Sequence, residues 1–579
     1  MAILGVDVGG TFTDAVLVEE RRIRTAKVPT AARQEESVLA AARAVGAGHG
    51  LTRFAHGTTV ATNALLERRG ARIAYIGNAG FEHLLHLRRQ TRAHLYRLCA
   101  EHREPLVPLE RSYGVRGRLG PAGELEPLEL DSIPDPGDVD AVAVCLLFAF
   151  RDPSHEQAVA AELRRRHPGV HVVASHEVAP EFREYERAST TAADAYLAPV
   201  TTRYLRALAA AAFVAGLPEP VVMLSSGGVT SVGEAAAHPA RLLVSGPAGG
   251  VVGAGLLARR VGFEDAIAFD MGGTSTDVCL LPGGGAGRVS EREVGGLPIR
   301  LPSVDVHTVG AGGGSLVRRD AGGVLRVGPE SAGADPGPAC YGRGGGATVT
   351  DANLLLGRLP SELPGGLVLD RDAASVALDG IDPAAVVEVV NAEMLRALRV
   401  VSVERGHDPR EFALVAYGGA GPLHACALAE ELGIEAVLVP AAAGMLSALG
   451  LAASEERRDR VVSHVRPLAE AGELPEEGEA DLRYRGQSFE LTVPLGPDLG
   501  ERFHREHEER YGYADRERVV ELVTVRTAEV VPGPELELPS GDPQSLSGPA
   551  LVELEGSTLW IAPGWEGVRD GPSWVVTRE

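Results

Sequence analysis

Lysine is nearly absent from this 579-residue chain: Lys27 is the only one, and every other strongly basic residue is arginine. A P-loop sets a lysine on the phosphates, so that route to phosphate binding is excluded, and Schiff-base chemistry has a single candidate. Any phosphate must be held by backbone amides, a metal ion or arginine. Cysteine is scarce as well. Cys99, Cys145, Cys279, Cys340 and Cys426 lie far apart and no CxxC occurs, which argues against a zinc ribbon, an iron–sulfur cluster or a redox dithiol. An odd, unframed set suits a reducing compartment, so the expected location is cytoplasmic. No run of about 18 apolar residues marks a membrane span, and the opening MAILGVDVGG reads as a buried strand and not as a signal peptide. Positive charge is in deficit, with 56 Lys+Arg against 79 Asp+Glu and a formal net charge of −23. That disfavours nucleic acid and anionic membranes as partners.

What is present begins with length, which predicts two to four domains. Buried-strand and amphipathic-helix patterns alternate over 1–175, predicting an α/β domain with a more polar insert at about 80–135. A second α/β region spans 176–455, with a long helix over 185–215 and glycine-dense loops over 284–350. The polar, acidic stretch 452–480 predicts a linker. Short strands and one helix, LGERFHREHEERYG, predict a small α+β domain over 480–579.

One sentence is written twice. VDVGGTFTDAVLV occupies 6–18 and FDMGGTSTDVCLL occupies 269–281, so Asp7 and Asp270 stand 263 residues apart at matching positions. Each copy predicts a strand, a Gly-Gly-Thr turn and a second strand. Gly9, Gly10, Gly272 and Gly273 let backbone approach a charged ligand. Their amides, with the hydroxyls of Thr11, Thr13, Thr274 and Thr276, offer donors to phosphate oxygens. An aspartate there cannot touch phosphate without repulsion, so Asp7 and Asp270 call for Mg²⁺ between them. Two such hairpins facing across a cleft clamp a polyphosphate from both sides. Asp14 and Asp277 recur as well, either in the site or as hairpin closers. This arrangement resembles the actin-like (ribonuclease H-like) ATPase superfamily, whose duplicated domains each supply a phosphate hairpin. The superfamily's adenosine motif, a strand running into a Gly-rich turn and a helix, is matched by LVAYGGAGPLHACAL with Gly418, Gly419 and Gly421.

Further stretches are more specific. HGTTVATNALLERRG, LVSGPAGGVVGA, VDVHTVGAGGGS, SAGADPGPACYGRGG and DLRYRGQSFEL together resemble the hydantoinase A/5-oxoprolinase family over essentially the whole chain. The resemblance implies ATP-dependent opening of a cyclic amide or imide such as 5-oxoproline or a hydantoin, with ATP and Mg²⁺ as cofactors. It equally covers the ATP-using subunits of acetone- and acetophenone-type carboxylases. A resonance-stabilised lactam is a poor electrophile, and phosphorylating its oxygen creates a leaving group.

Several residues remain open between roles. His56, Thr58, Thr59 and Asn63 sit where a strand enters a helix, a place for a substrate carbonyl or for an N-cap. Asp305 and His307, at i and i+2, share one strand face. They are a base with its orienter, two metal ligands, or a structural pair. Gly312 and Gly313 open a loop whose amides suit a γ-phosphate or oxyanion. Arg343 offers positive charge where lysine is missing, and Cys340 lacks an activating neighbour. The expected partner is a hydantoinase B-like subunit, since this chain matches only the first half of the fused, eukaryotic-type 5-oxoprolinases. A small-molecule kinase and a non-enzymatic ATP-driven activator are the other readings. The 304–345 loop argues against the first, and the missing cysteine cluster against an iron–sulfur activator.

Overall fold

The computed structural model describes residues 1–97, 99–363, 366–539 and 543–578. Its architecture is mixed α/β, built on two large sheets of ten and eight strands and a smaller one of four. Among the described residues no helix is long and apolar enough to cross a membrane.

The repeated sentence sets the topology twice. In the ten-stranded sheet, Ala2–Val8 pairs antiparallel with Phe12–Glu19, which pairs antiparallel with Arg22–Pro29. On its other side Ala2–Val8 takes Leu51–Gly57 in parallel, followed by Val221–Met223 in parallel and Val229–Ser231 antiparallel. In the eight-stranded sheet, Ala266–Met271 pairs antiparallel with Thr276–Leu281, which pairs antiparallel with His307–Val309. On its other side come Ala413–Tyr417 in parallel, Ala436–Pro440 in parallel and Ser573–Arg578 antiparallel. Six strand positions thus correspond in order and direction. The central strands are apolar on both faces, as strands covered on both sides must be. Leu4, Val6 and Val8 are buried on the first, and Ile267, Phe269 and Met271 on the second.

Two short helices join the sheets. Gly246–Arg260 packs on the second sheet and Leu446–Ala453 on the first, and the two pack on each other. Their contact is close because glycines line it: a Cβ at Gly450 would overlap the Gly249 carbonyl. The long helix Glu184–Val214 packs on the four-stranded sheet, against Ala141–Val144 and His171–Ala174, and is buried over most of its length.

The expected linker over 452–480 is instead occupied by a twelve-residue strand, Glu456–Pro467, which pairs with Val520–Val531. Its arginines and acids alternate with Val461 and Ser463, so a composition that reads as linker forms a polar-faced strand. The expected single domain at 480–579 is divided. Glu479–Tyr484, Leu491–Pro494 and Val520–Val531 extend the ten-stranded sheet and enclose a small core around Leu482, Tyr484 and Phe503. The strands from Ser545 onward join the eight-stranded sheet or the hairpin Ala550–Ile561 beside it. The stretch 80–135 is not an appendage throughout. Its strand Ser112–Val115 pairs in parallel with Ile73–Asn78 in the four-stranded sheet.

Candidate active site

Each hairpin tip is closed by the same bond. Gly9 N–H donates to the Phe12 carbonyl at 2.9 Å, and Gly272 N–H to the Ser275 carbonyl at 3.0 Å. The next two residues are left open: among the described residues the amides of Gly10, Thr11, Gly273 and Thr274 have no protein acceptor. All four residues are exposed, so four donors and two tip hydroxyls face solvent. The later threonines behave differently. Thr13 is buried with its hydroxyl 3.0 Å from that of Thr30, and Thr276 is buried and donates to the Ala311 carbonyl at 2.6 Å. Both hold the hairpin base and are not available to a ligand, which corrects their assignment.

The aspartates stand in register across each hairpin, Asp7 opposite Asp14 and Asp270 opposite Asp277. Asp7 is pushed up to about 7, chiefly by burial and then by the Asp14 charge. Asp270 is pushed up to about 8, chiefly by burial, then by Asp277 and, from the other half, by Asp7 and Asp14. The two hairpins therefore face one another closely enough for their charges to interact. A glycine presses against each carboxylate. A Cβ at Gly57 would lie 2.6 Å from Asp7 Oδ1, and one at Gly418, where φ is +80°, would overlap Asp270 Oδ1.

The third Gly-rich turn lies on the second half. Gly418 and Gly419 reach the surface, whereas Gly421 is buried at the start of helix Gly421–Leu432 against Phe269 and Met271. Gly421 therefore seats the helix, and Gly418 and Gly419 are the ones open to a ligand. The Ser557 hydroxyl donates to the Gly419 carbonyl at 3.4 Å, which brings the C-terminal hairpin tip to this turn.

Lys27 stands opposite Asp14 on the third strand, with Nζ 2.6 Å from Asp14 Oδ1 and 5.4 Å from the centre of the Phe12 ring. Its charge lowers both Asp7 and Asp270. It thus belongs to the carboxylate cluster and is not an incidental surface residue. Its stem lies near Gly556 of the C-terminal hairpin tip.

Other expectations change. His56 is fully buried, its Nε2 2.8 Å from the Tyr204 hydroxyl and its Nδ1 3.2 Å from the Val6 carbonyl, and burial pushes it down to about 4. It is a neutral strut behind the first hairpin and cannot meet a substrate. Thr58 is buried and accepts from Val60 N–H at 3.2 Å, while Asn63 donates to the Thr59 hydroxyl at 3.3 Å, with both residues partly exposed. Thr59 follows Gly57, the glycine that faces Asp7, by two residues, and Asn63 lies one helical turn beyond Thr59. The Ser245 hydroxyl donates to the Thr58 carbonyl at 3.4 Å, so the start of helix Gly246–Arg260 adjoins this corner. Sequence reasoning named no residue there, although the run LVSGPAGG marks it.

Asp305 is ion-paired with Arg405, and the strand is interrupted between Val304 and His307. The two residues do not share a strand face, and Asp305 is no free base. The residue that reaches a hairpin aspartate is Thr308, whose hydroxyl donates to Asp277. The loop after it is also committed: Gly313 N–H donates to Gly272 O at 3.0 Å, Gly314 N–H to Gly273 O at 2.7 Å, and Gly312 N–H to Ser315 Oγ at 2.9 Å. The amides of Gly313 and Gly314 buttress the second hairpin and that of Gly312 is taken within its own loop, so neither Gly312 nor Gly313 offers an amide to a phosphate. Cys340 is buried and its thiol pushed up by burial and Asp351, so it is no nucleophile. Arg343 is exposed.

Among the described residues no three His, Cys, Asp or Glu side chains gather into a metal cage. Two carboxylates raised by burial and mutual repulsion suit a cation that takes few protein ligands and completes its shell with water and phosphate.

With this geometry in place, comparison with known proteins is informative. The description hydantoinase/oxoprolinase matches residues 187–460, and that of the hydantoinase/oxoprolinase N-terminal region matches 3–167. Caprolactamase subunit alpha of Pseudomonas jessenii is 32% identical over 97% of this chain and 97% of its own. The crystal structure of ATP-dependent caprolactamase from that organism superimposes with a TM-score of 0.88 at 30% identity, covering 99% of each chain. 5-Oxoprolinase 1 of Arabidopsis thaliana is 36% identical over 70% of this chain but 36% of its own. The acetophenone carboxylase gamma subunit of Aromatoleum aromaticum is 32% identical over 76% of this chain and 66% of its own. The chain belongs to the hydantoinase/oxoprolinase family.

Proposed function

We propose that this chain is the ATP-using subunit of a cyclic amidohydrolase of the actin-like superfamily, acting on a lactam or cyclic imide. The observation that carries it is the pair of Asp7 and Asp270, raised to about 7 and about 8 on twin hairpins that feel each other's charge. An isolated aspartate shifted by about three units is destabilised by roughly 4 kcal/mol when ionised. That free energy is recovered when a cation enters between the carboxylates. Mg²⁺ held by Asp7 and Asp270 would shield the phosphates, and ATP would supply the phosphoryl group that turns the amide oxygen into a leaving group.

The chain's own residues then have defined tasks. The open amides of Gly10, Thr11, Gly273 and Thr274 hold phosphate oxygens from two sides. Gly418 and Gly419 leave room for the nucleotide to lie on the second half. Lys27 balances negative charge at the first hairpin. Thr59 and Asn63, which follow Gly57, are the polar groups best placed to orient a substrate carbonyl near Asp7. Closure of the two halves excludes water from the transferring group.

A second component is expected. Outside the hairpins, Asp305, the base suggested by the sequence, is paired with Arg405. The relative from Pseudomonas jessenii is named as a subunit. We expect a hydantoinase B-like partner to complete ring opening. The purified chain alone should bind ATP and release phosphate slowly. Adding the partner should couple phosphate release to opening of one member of a cyclic-amide panel. Ring opening by the chain alone, at one ATP per ring, would overturn the division of labour. The similarity to an acetophenone carboxylase subunit favours a second reading, in which a ketone enolate or bicarbonate takes the phosphoryl group. Bicarbonate-dependent phosphate release with a ketone, and none with lactams, would decide for it.

A further inference from the structure

A cavity whose lining includes no residue of either hairpin opens beside the ten-stranded sheet. It has a volume of about 450 Å³ and opens between the segment Glu177–Glu181, the turn after Val221–Met223, the residues 234–241 and the strand Glu456–Pro467. Its origin is a gap in the ten-stranded sheet. Val229–Ser231 meets Glu456–Pro467 at one pair, Val229 with Glu456, and the strands part beyond it. The volume is in the range of small-molecule sites.

The charges lining it divide into two sets. One set is satisfied. Glu181 is held by Arg300 at 2.7 Å and Arg526 at 2.8 Å, Asp459 by Arg457 at 2.8 Å, and Glu177 by Arg164 at 3.0 Å. The other set is not. Among the described residues, Arg241, Arg458 and Arg460 have no carboxylate within ion-pair distance, and neither Glu234 nor Glu529 has a basic one. Beside Arg241, His238 lies 4.0 Å from Asp194 Oδ2, an oxygen that is fully buried and without a hydrogen-bond partner. Arg458 stands opposite Glu529 across the strand pair, so the cavity's excess of positive charge lies at Arg241 and Arg460, a placement that favours an anionic group between them.

We propose that this cavity binds a small amino carboxylate, its carboxylate taken by Arg241, Arg458 and Arg460 and its ammonium by Glu234 or Glu529. Guanidinium forks match carboxylate geometry, and the two acids offer the opposite pole. Resting on the proposed function, one source is the reaction itself: opening a cyclic amide frees an amine from the ring nitrogen and a carboxylate from the carbonyl. The cavity would then be a product-sensing site, set at the junction where the strands Glu456–Pro467 and Val520–Val531 join the rest of the sheet.

The test uses the full chain without nucleotide, titrated calorimetrically with 6-aminohexanoate, glutamate, hexanoate, hexylamine and inorganic phosphate. The amino carboxylates should bind saturably, hexanoate more weakly, and hexylamine and phosphate not at all. Binding should weaken about tenfold in Arg241→Gln/Arg460→Gln, with basal ATP turnover unchanged. If that double variant does not fold, Arg458→Gln, at an exposed strand position, gives the same readout. No saturable carboxylate binding to the wild type, equal binding by the variants, or a preference for phosphate or hexylamine would each overturn the proposal. Neither nucleotide nor ring opening enters this titration, so its outcome is independent of whether the chain serves an amidohydrolase.

Discussion

The two hairpins share a backbone and differ in what stands beside their second aspartate. Both run Asp, Gly-Gly-Thr, Thr, Asp; both close through a glycine amide; both bury the later threonine and leave the tip open. Yet Asp14 faces Lys27, the only lysine in the chain, while Asp277 faces the Thr308 hydroxyl with Arg292 further off. Asp14 and Asp277 are both raised, chiefly by burial, but only the first is offset by a direct cation. The comparison teaches that the duplicated frame fixes where Asp7 and Asp270 stand. The neighbour on the outer strand then sets the charge of each half. One half presents a cation beside its hairpin and the other a neutral donor, an asymmetry that the proposed clamp would use to hold the two ends of a polyphosphate differently.

The largest effect expected on that comparison comes from the shared aspartates. Asp7→Asn or Asp270→Asn keeps the shape and removes a charge, and each should lower ATP turnover by roughly 10²–10³-fold. A single variant that keeps more than half of wild-type turnover would break the equivalence of the halves.

Stability should move the opposite way. Both carboxyls are raised in the folded chain, so at about pH 4 and below neither state is favoured by their ionisation. As pH rises from about 4 through 8 the unfolded chain ionises first, and the metal-free fold loses stability. Asp270→Asn removes that loss and should stabilise the metal-free chain at pH 8 by something on the order of 4 kcal/mol, read by denaturant unfolding. Mg²⁺ with ATP should bind more tightly at pH 8 than at pH 6, because protons must leave Asp7 and Asp270 first. Binding that does not change with pH would contradict the shifts.

The contrast between Lys27 and Thr308 is sharpened by removing each. Lys27→Ala should lower turnover by about tenfold, since it takes away a full charge. Thr308→Val should lower it by no more than about threefold, since the hydroxyl carries no charge and bonds Asp277 rather than Asp270, the carboxylate proposed to hold the metal. ATP should also protect Lys27 from an amine-specific acylating reagent. Equal labelling with and without ATP would detach Lys27 from the site. The smallest effect belongs to the buried threonines: Thr13→Val or Thr276→Val should destabilise by about 1 kcal/mol with little change in turnover per folded molecule.

Much of this was legible in the chain. The twin hairpins, the Gly418–Gly419 turn and the helices Glu184–Val214, Gly246–Arg260 and Leu499–Tyr511 follow from periodicity, glycine placement and repetition. What was not legible depends on which partner consumes a polar group. Thr11 and Thr13 look alike in sequence, but Thr30, seventeen residues beyond Thr13, decides that one is locked in. The GAGGGS amides look free until the Gly272 and Gly273 carbonyls are found above them. Asp305 reads as a base until Arg405, a hundred residues on, neutralises it. The strand Glu456–Pro467 reads as a linker because its polar face looks into the cavity and its edge, and not because it lacks a pairing partner.

A double-variant cycle tests the clamp most directly. Single-turnover ATP cleavage is measured for the wild type, Asp7→Asn, Asp270→Asn and the combination, with Mg²⁺ saturating. If the two hairpins act together on one nucleotide, the double variant should be hardly slower than either single one, because the first loss already dismantles the shared site. Losses that multiply would mean two independent contributions, and the two-sided clamp would be wrong.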